Sequence, residues 1–104
     1  MQRKVWSARV LPGMLEEYIR RHNEIWPEML AALREAGVTN YTIWNHGDIL
    51  IGYYECPDLQ ASETYKAHSE VMKRWNKSMQ GIMEMQKDEC TGKTAVYRQI
   101  FEMM

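Results

Sequence analysis

Hydrophobic residues in this chain recur with two different periods, and the switches between them outline the fold. Val5 to Leu11 alternates, with Trp6, Ala8 and Val10 on one side, which predicts a strand ended by Pro12-Gly13. From Met14 to Ala36 the spacing becomes helical: Leu15, Tyr18, Ile19, His22, Trp26, Met29, Leu30 and Leu33 form a wide apolar stripe. Glu16/Arg20 and Glu17/Arg21 are favourable i, i+4 pairs on its solvent side, and Gly37 is a natural stop. Pro27 lies inside this stretch and predicts a bend, because it lacks the N–H that the Asn23 carbonyl would use.

Alternation returns in Thr39–Trp44 and Asp48–Glu55, and Asn45-His46-Gly47 between them predicts an antiparallel hairpin. Tyr41 and Ile43 share one face of the first strand. Gly52, inside the second, marks a bulge, a close approach by a large group, or plain packing. Pro57-Asp58 ends the hairpin and offers a cap. Leu59 to about Met85 reads as helix with an interruption near His68-Ser69, carrying Val71, Met72, Trp75, Met79, Ile82 and Met83 on one stripe. Gln86–Lys93 reads as loop and Ala95–Phe101 as a final strand.

The order is β-α-β-β-α-β: an α+β, ferredoxin-like fold, with a four-stranded antiparallel sheet and both helices on one face. Residues 1–104 form a single domain, since that length supports one core. The uncovered sheet face would then need a partner, and a homodimer packed sheet against sheet, with Phe101-Glu102-Met103-Met104 across the seam, is expected.

Composition narrows the partners. With 13 basic residues interspersed among 14 acidic ones and a net charge of −1, there is no basic stripe, so no nucleic acid is expected. The apolar runs are too short for a membrane span and the N-terminus has no signal-like segment, which points to a cytoplasmic protein. Cys56 and Cys90 form no Cys-x-x-Cys pair and are expected to be reduced, and the three scattered histidines have no metal-ligand spacing, so no metal is expected.

Candidate chemistry concentrates on one row. Tyr18, His22 and Trp26 are spaced i, i+4, i+8, placing a phenol, an imidazole and an indole on one side of a helix. Spacing alone describes an aromatic core stripe with a satisfied histidine, since apolar periodicity normally marks a buried face. Read as a site, it joins a neutral-pH proton carrier to flat surfaces suited to a small ring compound. There is no glycine-rich phosphate loop and no nucleophile with a recognisable base, which favours light acid–base chemistry. Tyr41 is by itself a strand aromatic, Trp75 a core residue, and Trp26 as easily a structural anchor.

Glu16-Glu17-Tyr18, Arg20-Arg21-His22-Asn23 and Ile25-Trp26-Pro27-Glu28 resemble the helix of the L-rhamnose mutarotase family, as do Arg3-Lys4, Gly37 with Asn40-Tyr41, and Arg74-Trp75. The resemblance covers nearly the whole chain. It implies a cytoplasmic homodimer of the dimeric α+β barrel type that interconverts the α and β anomers of L-rhamnose, or a related 6-deoxy sugar, with no cofactor. It further implies His22 as proton donor and Tyr18, Tyr41, Trp75 and Asn76 as substrate-binding residues. Asn76 stands where some members have a second tryptophan, exchanging an apolar face for hydrogen-bonding groups. Two rival functions are a cofactor-free monooxygenase of the same barrel type and a non-catalytic sugar-binding module.

Overall fold

A computed structural model describes residues 1–103. Its elements run β1 (Gln2–Val10), α1 (Leu15–Asn23), α2 (Pro27–Glu35), β2 (Thr39–His46), β3 (Ile49–Cys56), α3 (Leu59–Ala67), α4 (Glu70–Ser78) and β4 (Met83–Met85). The strands form one antiparallel sheet in the order β2-β3-β1-β4, the ferredoxin-like arrangement. Helices cover the face presented by Ala8, Val10 and Leu50, where Met72, Trp75 and Ile82 complete the main core. A smaller cluster of Ala36, Val38, Tyr54 and Cys56 closes the sheet at the end where α2 returns to β2.

Each long helical stretch is divided in two. The first does not bend at Pro27; it breaks. Trp26 adopts extended backbone (φ −61°, ψ 135°), the conformation imposed on a residue before proline, and Pro27 opens α2 at the position where a missing N–H costs nothing. The second divides at His68-Ser69 as expected, with the Ser69 hydroxyl accepting from the Met72 N–H. Asp58 caps α3 by accepting from Ala61 N–H at 3.1 Å.

The fourth strand is not Ala95–Phe101. Helix α4 stops at Ser78, Gly81 turns the chain with φ +84°, and Met83–Met85 pairs with Val10–Ala8 along the free edge of β1. Ile82 and Met83 continue the apolar spacing of the helix, yet they reach the core from the turn at Gly81 and the edge strand that follows it. Residues 95–103 have no ladder of their own. Ala95 donates its N–H to the Gln86 carbonyl at 2.9 Å, and residues 97–102 then run along the outer face of the sheet through side chains: the Tyr97 hydroxyl lies 2.5 Å from Ser7 Oγ, and Arg3 pairs with Glu102 at 2.9 Å. Phe101 and Met103 are exposed, and Met104 lies outside the described residues.

The β2–β3 hairpin turns at Gly47-Asp48, with Gly47 at φ +62° and the Asn45 side-chain amide donating to the carbonyls of Gly47 and Ile49. Its far end is irregular. Between Thr39 and Thr42 the register slips, Asn40 has φ +50°, and the Asn40 side chain donates to Glu55 Oε1 at 2.7 Å. Asparagine tolerates this left-handed conformation better than most residues. Beyond the bulge Ile43 packs on the core while Trp44 is two-thirds exposed on the opposite face.

Candidate active site

The last turn of α1 presents His22 to a cavity of about 620 Å³ between the helices and the inner face of the sheet. Tyr18, one turn earlier, is buried and its ring centroid is 4.3 Å from that of His22. His22 Nδ1 is 3.0 Å from the Tyr18 backbone carbonyl, which can only accept, so Nδ1 carries a hydrogen. In the neutral ring Nε2 then holds the free lone pair. Burial lowers the His22 pKa, and the hydrogen bond to the Tyr18 carbonyl opposes that shift without overcoming it.

Helix α4 supplies the facing wall. Trp75 is buried and meets the His22 ring edge-on at 5.4 Å and the Trp26 ring edge-on at 5.3 Å. Trp26 has thus left the helical row and braces Trp75. Arg21 ties the two helices together, donating from Nη1 to the Ser78 carbonyl at 2.5 Å and from Nε to Glu17 at 2.8 Å. A cation at the last turn of α4 also suits that helix's dipole. Asn76, exposed, lines the cavity beside Trp75.

Tyr41 comes from the sheet. Its hydroxyl accepts from Trp6 Nε1 at 2.9 Å, and its ring lies 5.2 Å from Tyr54. The ring is partly exposed but the hydroxyl sits among protein atoms, and burial pushes its pKa up to about 12. The Tyr18 hydroxyl is raised too, by burial and then by Tyr41. Both phenols therefore stay protonated at neutral pH, able to donate to and accept from a hydroxyl. Trp6 lies flat over Gly52, its partner across the β1–β3 ladder, so closely that a Cβ there would stand 2.0 Å from Trp6 Cε2. Of the three readings of Gly52, the close approach of a large group is the one found.

All five site residues expected from sequence, Tyr18, His22, Tyr41, Trp75 and Asn76, line this one cavity. It also includes Trp6, Tyr54, Glu63 and Lys66, which sequence reasoning missed. Gly52 was the one signal for Trp6. The i, i+3 pair Glu63/Lys66 reads as an ordinary solvent face. Chemically, the cavity combines a proton carrier, protonated phenols and aromatic faces, a set matched to a polyhydroxylated ring.

The family model described as L-rhamnose mutarotase matches residues 3–103. The chain is 38% identical over 90 residues to an L-rhamnose mutarotase of Lachnoclostridium phytofermentans, covering 85% of this chain and 86% of that one. It is 34% identical over 105 residues to one from Enterococcus faecalis, covering 99% and 100%. Among solved structures it resembles an L-rhamnose mutarotase from Formosa agariphila (TM-score 0.78, 22% identity, all of both chains) and tetracenomycin F2 cyclase from Streptomyces glaucescens (TM-score 0.65, 16% identity, 98% and 99%). At such identities the two structures speak for the fold alone, which two reactions share. The sequence matches go further: this chain belongs to the L-rhamnose mutarotase family.

Proposed function

We propose that His22 is the proton-transfer group through which this chain interconverts the α and β anomers of L-rhamnose. The observation that carries this reading is the Nδ1 contact with the Tyr18 carbonyl, which leaves Nε2 for the substrate in a cavity lined by protonated phenols. In ring opening, protonated His22 gives its Nε2 proton to the ring oxygen while the anomeric hydroxyl loses its proton to water. The bond between C1 and the ring oxygen breaks, leaving an aldehyde and a chain hydroxyl. Rotation about C1–C2 exposes the other carbonyl face, and reclosure runs the same transfers backwards. One positioned acid contributes about 10²–10⁴-fold.

Tyr18, Tyr41 and Asn76 hold sugar hydroxyls in this scheme, and Trp75 lies against the apolar C–H face or methyl group. The chain works as one domain and as a homodimer: among the described residues no helix covers the outer sheet face, which exposes Trp44, Ile49 and Ile51. Its thiols, buried Cys56 and exposed Cys90, are free, which suits the reducing cytoplasm.

Saturation-transfer NMR on the anomeric protons of L-rhamnose tests the role of His22, with L-fucose as comparison. The wild-type protein accelerates exchange, and folded His22→Ala loses about 10²–10⁴-fold of it. Undiminished exchange in His22→Ala would remove the imidazole from the mechanism.

A further inference from the structure

Beyond the aromatic wall, the same cavity has a polar end that the scheme above does not use. Tyr54 on β3 is buried, and Glu63 and Lys66 approach it from successive turns of α3. The Lys66 ammonium donates to the Tyr54 hydroxyl at 2.8 Å and sits 4.0 Å from the centre of that ring, a cation–π contact. The Tyr54 hydroxyl in turn donates to Glu63 Oε1 at 3.0 Å. A phenol has one hydrogen, so these two bonds orient it completely: hydrogen toward the carboxylate, lone pair toward the ammonium.

That leaves capacity to spare on both charged groups. An ammonium has three N–H donors, and among the described residues Lys66 uses one in a hydrogen bond; Glu63 at 3.9 Å is too far for a second. The Lys66 side chain is only 15% exposed, so water reaches it poorly, and burial lowers its pKa. Glu63 Oε2 has no hydrogen bond among the described residues and remains an acceptor.

We propose that Lys66 and Glu63, oriented by Tyr54, clamp one ring hydroxyl of the sugar away from its reacting carbon. A hydroxyl both donates and accepts, which is what an ammonium beside a carboxylate complements. An anionic substituent would meet Lys66 but be repelled by Glu63, and a methyl group would leave both unmatched. Tyr41, in ring contact with Tyr54, joins this end to the wall that holds Tyr18 and His22. The clamp thus sets which aldopyranoses enter. The inference rests on the sugar-binding part of the proposed function, not on the role of His22.

The test is calorimetric binding of L-rhamnose and its 2-, 3- and 4-deoxy analogues to the wild-type protein, Lys66→Met and Glu63→Gln, with anomer exchange measured alongside. Lys66→Met should weaken L-rhamnose by roughly 10–100-fold, the worth of one hydrogen bond to a charged group, and raise the half-saturating concentration for exchange far more than it lowers the saturated rate. One deoxy analogue should lose the same factor against wild type and lose nothing more on Lys66→Met. Glu63→Gln, which preserves shape, should repeat the pattern if Lys66→Met folds poorly. The clamp is overturned if both folded variants bind L-rhamnose as wild type does, if no deoxy analogue is weakened, or if wild type binds no sugar. Wild-type binding with this pattern but without exchange would support the clamp and refute the proposed reaction.

Discussion

Placing a methyl group on Gly52 tests how Tyr41 is held. The added Cβ would lie 2.0 Å from Trp6 Cε2 and 2.2 Å from Nε1, where carbon atoms ordinarily stop at about 3.5–4.0 Å. Roughly 1.5 Å of displacement is needed, and the rigid indole is what stands in the way. Overpacking of this kind costs about 1–3 kcal/mol. As the ring moves, Nε1 leaves the Tyr41 hydroxyl, now 2.9 Å away, and a net hydrogen-bond contribution of about 1 kcal/mol goes with it. Gly52→Ala should therefore destabilise the protein by about 2–4 kcal/mol and lower its Tm by at least about 8 °C. Thermal unfolding measures the first effect, and the half-saturating concentration of L-rhamnose in anomer exchange should rise with the displaced Tyr41. Adding Trp6→Leu to Gly52→Ala should cost less than the two separate losses combined, by more than about 1 kcal/mol, because the smaller side chain vacates the contested space. A Gly52→Ala protein with Tm within about 2 °C of wild type and unchanged exchange would refute the reasoning.

The depressed pKa of His22 predicts opposite pH trends for rate and stability. Because protonated His22 is the proposed acid, the exchange rate should rise as pH falls through neutrality and level off only below the ordinary imidazole value of about 6.5; a plateau already complete above it would exclude this acid. For stability the unfolded chain binds the proton more tightly, so the contribution of His22 is present above about 6.5 and is lost as pH falls through its lowered folded value, a loss that His22→Gln should not show in denaturant titrations. The proposed homodimer is tested by Ile51→Glu on the exposed sheet face, which should convert a wild-type dimer to monomer in sedimentation velocity; a wild-type monomer, or an unaffected Ile51→Glu dimer, would reject sheet-to-sheet association.

Most of the architecture is legible in local spacing. Strand β1, the hairpin, the Asp58 cap and the division at Ser69 all follow from alternation, turn chemistry and capping side chains. The helix break at Pro27 is less legible because the apolar stripe runs through it, whereas the backbone of Trp26 is set by its neighbour's ring. The fourth strand, Met83–Met85 rather than Ala95–Phe101, is hidden for a related reason. Three residues are too few to display alternation, and apolar Ile82 and Met83 keep a helical spacing although Gly81 has turned the chain. Of the site, the Tyr18–His22 pair was visible as an i, i+4 row, while Tyr41, Trp75 and Asn76 came from the family resemblance. Trp6 over Gly52 depends on strand register, with the strand glycine its one local trace, and Lys66 against Tyr54 depends on how α3 docks, which leaves none.

The bulge at Asn40 carries a consequence for how such a pocket can diverge. Thr39 lies opposite Glu55 before the slip and Thr42 opposite Tyr53 after it, so β2 contributes one residue more than its partner does. Side chains on a strand change faces with every residue. Deleting Asn40 would close the slip with Tyr41 opposite Tyr54 and in step with Ile43, whereas one residue inserted between Tyr41 and Ile43 would turn Tyr41 to the opposite face. A length change of one residue at Gly47-Asp48, past the last paired position, alters the turn and leaves the pocket's inventory intact. Length changes along one hairpin are thus unequal: the bulge and the turn absorb them, whereas the paired stretch between exchanges the residues that line the cavity.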